Sequence, residues 1–141
     1  MDRLHAYSYY LEALLAVSDR SVCAARLDNG IRRAAAYLRE IAPQFVRSDV
    51  YAQILRVRLF AGQLGVVPLD REQAAEEAAA IPHFQWDSAE VRLNGGYCFG
   101  RRDGQLTPFA NPVSTAFCMQ AVNLWQKSQD GGFEETWRDL I

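Results

Sequence analysis

The sequence predicts a mainly α fold of antiparallel helical hairpins with one small β-hairpin, and three observations carry that prediction. Apolar residues recur at helical spacing in several separate segments. Helix-starting and helix-stopping residues fall between those segments. One stretch, Asn94 to Phe117 (NGGYCFGRRDGQLTPFANPVSTAF), joins a strong turn pair to two short runs of strand-forming residues.

At 141 residues the chain fits a single helical domain spanning 1–141, long enough to bury roughly two-thirds of the surface that its unfolded form exposes. Half of the residues are hydrophobic and 23% are charged, with a formal net charge of -2, which excludes a disordered chain and gives no basic footprint for nucleic acid. All the basic residues except Lys127 are arginine, a side chain suited to paired, partly buried positions, although a biased genome gives the same composition.

Leu4, Tyr7, Leu11, Leu14 and Leu15 recur at helical spacing, and Ser18-Asp19 ends that first helix. A second helix runs from about Ala24 to Ala42, with Leu27, Ile31, Ala34, Ala35 and Leu38 on one face, and Pro43 closes it. Ser48 is the expected N-cap of a third, with Asp49 favourably placed in its first turn and Gly65 at its end. Asp70 followed by Gln73 starts a short alanine-rich helix that stops before Pro82.

From His83 to Leu93 there is no clear periodicity, so this segment reads as loop with at most a turn of helix. Tyr97 to Phe99 and Gln105 to Thr107 then suit two strands joined at Asp103-Gly104. Gly100 suits a bulge or a close backbone contact. Asn111-Pro112 opens a fifth helix that is apolar on most sides, QDGGF breaks it, and EETWRDLI supplies a last amphipathic turn. The third and fifth helices are broadly apolar, whereas the second and fourth have long charged faces, an alternation that suggests inner and outer members of hairpins.

Those inner and outer helices, with SYYLEALL, NGGYCFGRR, NPVSTAFCMQAVNLW and QDGGF, resemble the last portion of an α/α-toroid protein. That group includes the six-hairpin glycosidases, the polysaccharide lyases, and the terpene cyclase and prenyltransferase barrels. QDGGFEETW is similar to the glutamine-to-tryptophan repeat of terpene cyclases at Gln129, Gly131, Gly132 and Trp137. The DxDD acid motif of the cyclases and an Asp, Cys and His set at prenyltransferase-like spacing are both missing, so neither chemistry is carried over. Complete toroids are generally at least twice this length. The resemblance therefore implies a partial α/α toroid: a carboxy-terminal fragment, one half of an assembly, or a small independent bundle. Either of the first two leaves an apolar flank uncovered, so self-association or a missing N-terminal half is expected.

His5, Tyr9 and Glu12 form one stripe of the first helix at i, i+4 and i+7. In a toroid such a stripe points into the central cavity, with Glu12 as catalytic acid or base and the aromatics stacking on a sugar ring; otherwise it is the solvent face of an amphipathic helix. Asp49 is the candidate carboxylate partner of Glu12 in a hydrolase or lyase, beside Tyr51, or else it serves the helix dipole. Trp86, within the His83 to Trp86 aromatic and amide cluster, suits a polar ring or anchors its loop on the core. Arg101, Arg102 and Asn111 lie where an anionic or polyhydroxyl ligand would meet the hairpin.

The expected function is thus carbohydrate processing in a polar cavity, with a carbohydrate or other polar small molecule as ligand; the alternative is a non-catalytic helical interaction or assembly protein. No cofactor and no metal are expected, since Cys23, Cys98 and Cys118 are widely spaced in apolar settings and read as buried thiols of a reducing compartment. Asp2 and Glu12 argue against a signal peptide, and no stretch nears the ~20 apolar residues of a membrane span, so a cytoplasmic location is expected, without nucleic acid or membrane as partner.

Overall fold

The computed structural model describes residues 1–17 and 19–140. Helix α1 spans Asp2–Leu15. Its expected stop at Ser18 lies outside the described residues. Asp19 is instead the N-cap of α2 (Arg20–Ile41), where its Oδ1 accepts from the Ser21 amide at 3.2 Å. This helix begins before the predicted Ala24 because the Asp19 cap sets its start and the buried Cys23, four residues before Leu27, extends the apolar face into the first turn.

A three-residue strand, β1 (Phe45–Arg47), follows, too short to show alternation in the sequence. Helix α3 (Ser48–Gln63) continues directly from it. Ser48 is the first helical residue, not the expected N-cap: its Oγ donates to the Cys98 carbonyl at 2.6 Å and its amide donates to the Phe99 carbonyl at 3.1 Å. Pairing with the later strands takes priority over capping there. At the far end, Val66 N–H returns to Ala61 O and Gly65 N–H to Gly62 O, each at 3.0 Å, closing α3 as a Schellman motif with Gly65 at φ 66°.

Asp70 caps α4 (Arg71–Ala80) by accepting from the Gln73 amide at 3.1 Å, while the Gln73 side chain turns to Glu76 and Arg39 rather than completing a capping box. A 3-10 turn, Ile81–Phe84, ends this region. Strands β2 (Gly100–Arg102) and β3 (Gln105–Leu106) form the hairpin, and β1 joins as a third antiparallel strand in the order β1-β2-β3. Asp103 at φ 48° and Gly104 at φ 79° make a two-residue turn with both centres left-handed, which sets Arg102 opposite Gln105. The pairing therefore lies closer to the turn than the predicted Tyr97–Phe99 strand. Tyr97 and Cys98 instead make single bridges to Gln85 and Ala110. Gly100 is required by close approach, because a Cβ there would overlap the Val46 carbonyl oxygen.

Helix α5 (Pro112–Gln129) starts as expected, with Asn111 Oδ1 accepting from the Ser114 amide at 3.0 Å. The segment after it carries a short 3-10 turn, Trp137–Asp139, capped by Thr136 and Asp139.

The side-chain pairs between helices rise or fall together and so give their directions. Asp2 meets Arg47, His5 meets Gln53 and Glu12 meets Arg56, so α1 and α3 run parallel. Arg58 meets Glu77 while Gly62 approaches Leu69, so α3 and α4 are antiparallel. The groups α1, α2, α3 and α3, α4, α5 each pack mutually and share α3. The fold is mainly α, built of antiparallel helical hairpins with a small antiparallel sheet.

Every residue of α3 except Tyr51, Gly62 and Gln63 is buried. The expectation that a helix apolar on nearly all sides needs cover on all sides is met for α3. It is not met for α5, where Val113 and Met119 remain 54% and 61% exposed. No helix among the described residues is long and apolar enough to cross a membrane.

Gly100→Ala is expected to lower stability by about 1–3 kcal/mol, because the added methyl forces β1 and β2 apart. Urea denaturation would show this as a lower midpoint, and equal midpoints would remove the close approach.

Candidate functional site

Two stripes of equal spacing face each other. His5, Tyr9 and Glu12 lie on α1, and Asp49, Gln53 and Arg56 repeat the i, i+4, i+7 pattern on α3. Because the helices are parallel, the stripes meet in order. His5 Nδ1 lies 2.7 Å from Gln53 Oε1, and Arg56 Nη2 donates to Glu12 Oε1 at 2.7 Å.

Arg56 has no solvent exposure. Its Nη1 donates to Gln120 Oε1 of α5 at 2.8 Å, and its guanidinium lies 4.0 Å from the Phe117 ring centroid. Gln120 Nε2 donates onward to the Asp139 carbonyl at 2.5 Å. One chain of hydrogen bonds thus crosses α1, α3, α5 and the segment beyond. Burial pushes the Glu12 carboxyl above its ordinary range, against the pull of Arg56, and burial likewise lowers the Arg56 guanidinium against the pull of Glu12.

Asp49 is also buried and paired. Arg47 donates to it from Nε at 3.0 Å and Nη2 at 2.6 Å, reaches Asp2 Oδ1 at 3.1 Å, and stacks 4.7 Å from the Phe99 ring centroid. Tyr9 lies beside both carboxylates: burial raises its phenol, and the charges of Glu12 and then Asp49 raise it further. Its ring meets His5 edge-on at 4.9 Å and Phe117 at 6.5 Å, yet it stays 45% exposed.

The fold therefore gathers His5, Tyr9, Glu12 and Asp49 on one side of α3. Both carboxylates are paired with a guanidinium, Glu12 through Oε1 with Arg56 and Asp49 through both oxygens with Arg47. Gln53 Nε2, Arg56 Nε and Ser114 Oγ are buried without a protein hydrogen-bond partner and are the donors left over around this cluster. No three His, Cys, Asp or Glu side chains gather as a metal ion requires among the described residues. Comparison with protein-family models, curated proteins and solved structures finds no match to this chain.

The remaining candidates lie elsewhere. Tyr51 packs on Phe84 at 5.9 Å, and its phenol is raised by burial and then by Glu77. Trp86 is half-buried, and its backbone brackets the loop through bonds to Gly96 O at 2.8 Å and from Gly95 N at 2.9 Å. Arg101 Nη2 donates to the His83 carbonyl at 3.0 Å, and Arg102 stacks 5.0 Å from the Phe45 centroid. Asn111 caps α5. These residues anchor loops and the sheet, and none joins the α1–α3 cluster.

Sequence reasoning passed over Gln53, Arg56, Arg58 and Gln120. Arg58 and Glu77 form a second buried pair, doubly bonded at 2.9 and 2.6 Å between α3 and α4. The available signal was a polar residue inside a helix apolar on all other sides, since such a residue must carry its partner inward with it.

Glu12→Ala should cost about 3–5 kcal/mol by leaving Arg56 buried without its counter-charge, while Glu12→Leu combined with Arg56→Met should recover most of the loss. Chemical denaturation of the three proteins checks this, and a neutral single mutant would contradict the buried pair. Burial also pushes the Cys98 thiol up to about 11 and the Cys118 thiol up to about 12. Both thiols should stay unreactive to Ellman's reagent at neutral pH in the native protein and react once it is unfolded in urea. Rapid native labelling of either would refute their burial.

Proposed function

We propose that the protein is a non-catalytic helical assembly module, an arc of the α/α-toroid kind that self-associates through the exposed side of α5. One observation carries the reading. Pro112, Val113, Met119, Asn123 and Gln126 line the exposed side of α5, and Lys127 is the sole charged residue in the whole helix. The exposed residues of α2, by contrast, include Arg26, Arg32, Arg33, Arg39 and Glu40. A solvated helix face ordinarily carries charge, and depletion of charge with exposed methionine is the composition of an interface core. Parallel α1 and α3 with antiparallel connecting helices supports the toroid part of the reading, because hairpins set side by side in a ring have this order. The commitment of Glu12 and Asp49 to arginines favours assembly over acid–base chemistry.

A second reading, binding or processing of a carbohydrate, rests on Tyr9. Its half-exposed ring lies above two carboxylates, an arrangement suited to stacking on a polyhydroxyl ring.

Light scattering on the eluting protein, with and without soluble oligosaccharides, separates the two readings. The assembly reading expects a dimer or larger species that becomes monomeric in Val113→Glu and Met119→Glu, with folding stability changed by less than about 0.5 kcal/mol. A monomer at high micromolar concentration would sink it. Ligand-dependent behaviour lost in Tyr9→Ala would favour the carbohydrate reading instead.

A further inference from the structure

A groove of about 840 Å³ lies between the start of α1 and the last turns of α2, on residues the assembly reading does not use. Leu4 and Ile41 supply apolar lining, Tyr7 and Tyr37 aromatic lining, and Arg3 and Arg33 cationic lining. We propose that this groove binds a small aryl carboxylate, its anionic head at Arg33 and Arg3 and its ring between the tyrosines and the apolar lining.

Three observations carry the assignment. Arg3 and Arg33 are exposed, and neither forms an ion pair among the described residues. The one carboxylate lining the groove, Asp2, directs its Oδ1 to Arg47 Nη1 at 3.1 Å, so the two arginines dominate the local charge. Arg33 also contacts the aromatic lining. Its Nη2 donates to Tyr37 Oη at 3.3 Å, and its guanidinium carbon lies 5.8 Å from the Tyr37 centroid.

A guanidinium binds a carboxylate through two parallel N–H donors. Tyr7 stacks on Tyr10 with centroids 5.7 Å apart. Aromatic and aliphatic lining beside two guanidinium groups and a volume of several hundred Å³ suit a small molecule with an apolar body and an anionic head. The apolar lining argues for a ligand with a hydrophobic body, and inorganic phosphate lacks one.

The test is a titration of the full chain with 4-phenylbutyrate, its uncharged amide and inorganic phosphate, followed through backbone amide NMR signals. Saturable shifts are expected for the carboxylate, confined to residues 1–10 and 30–41. The amide and phosphate should bind at least about tenfold more weakly, and Arg33→Gln or Arg3→Gln should weaken the carboxylate by about the same factor. Both arginines are exposed, so unchanged thermal melting should accompany the loss. Equal affinity for the amide, full affinity in Arg33→Gln, shifts centred elsewhere, or no saturable binding would each overturn the proposal.

Discussion

A guanidinium with no solvent exposure must find its acceptors inside the protein, and Arg56 imposes that demand at the centre of this fold. Glu12 of α1 and Gln120 of α5 meet it from opposite sides, and Phe117 covers its face. Three helices and the Asp139 segment are thereby held in one register. A purely apolar contact between α1, α3 and α5 would tolerate sliding by a turn, whereas a displaced guanidinium would lose its acceptors and bear the full penalty of burial. The pair adds little net stability over a hydrophobic substitute, and its contribution is to select one arrangement among several that would bury the same area.

The same rule repeats at the other ends of α3. Arg58 is answered by Glu77 of α4, and Arg47, just before the helix, by Asp49 and Asp2. Each helix that touches α3 at length, apart from α2, therefore shares a polar fastening with α3 or the residue before it. This accounts for the condition of the two candidate acids. Glu12 and Asp49 take part in these fastenings through Arg56 and Arg47, and Tyr9 is the half-exposed group beside them.

Much of the fold was legible because it rests on local signals. Asp70, Asn111-Pro112 and Asp103-Gly104 carry their roles in two or three adjacent residues, and the structure uses each as a cap or turn. Ser48 had an equally good local signal and was misread, since its true partner is the Cys98 carbonyl, fifty residues away. β1 was invisible for a related reason: Phe45–Arg47 becomes a strand only when Gly100–Arg102 pairs with it. In the candidate site, the stripe of His5, Tyr9 and Glu12 was readable from helical spacing. Its facing stripe was not, because the pairing of Glu12 with Arg56 and not Asp49 depends on the direction and offset of two helices, which no spacing within one helix reveals.

The pairing of residue 45 with residue 102 also bears on the order in which the chain folds. Closing so large a loop costs chain entropy before any strand hydrogen bond compensates, whereas the α1–α2 and α3–α4 contacts join neighbours in sequence. The contact of Arg56 with Gln120, 64 residues apart, carries a closure cost of the same order, so the sheet and the α3–α5 packing are both long-range closures of this fold. The Ser48 amide and hydroxyl are satisfied by the Cys98 and Phe99 carbonyls, so the start of the central helix is completed by a segment fifty residues away that the sheet holds against it.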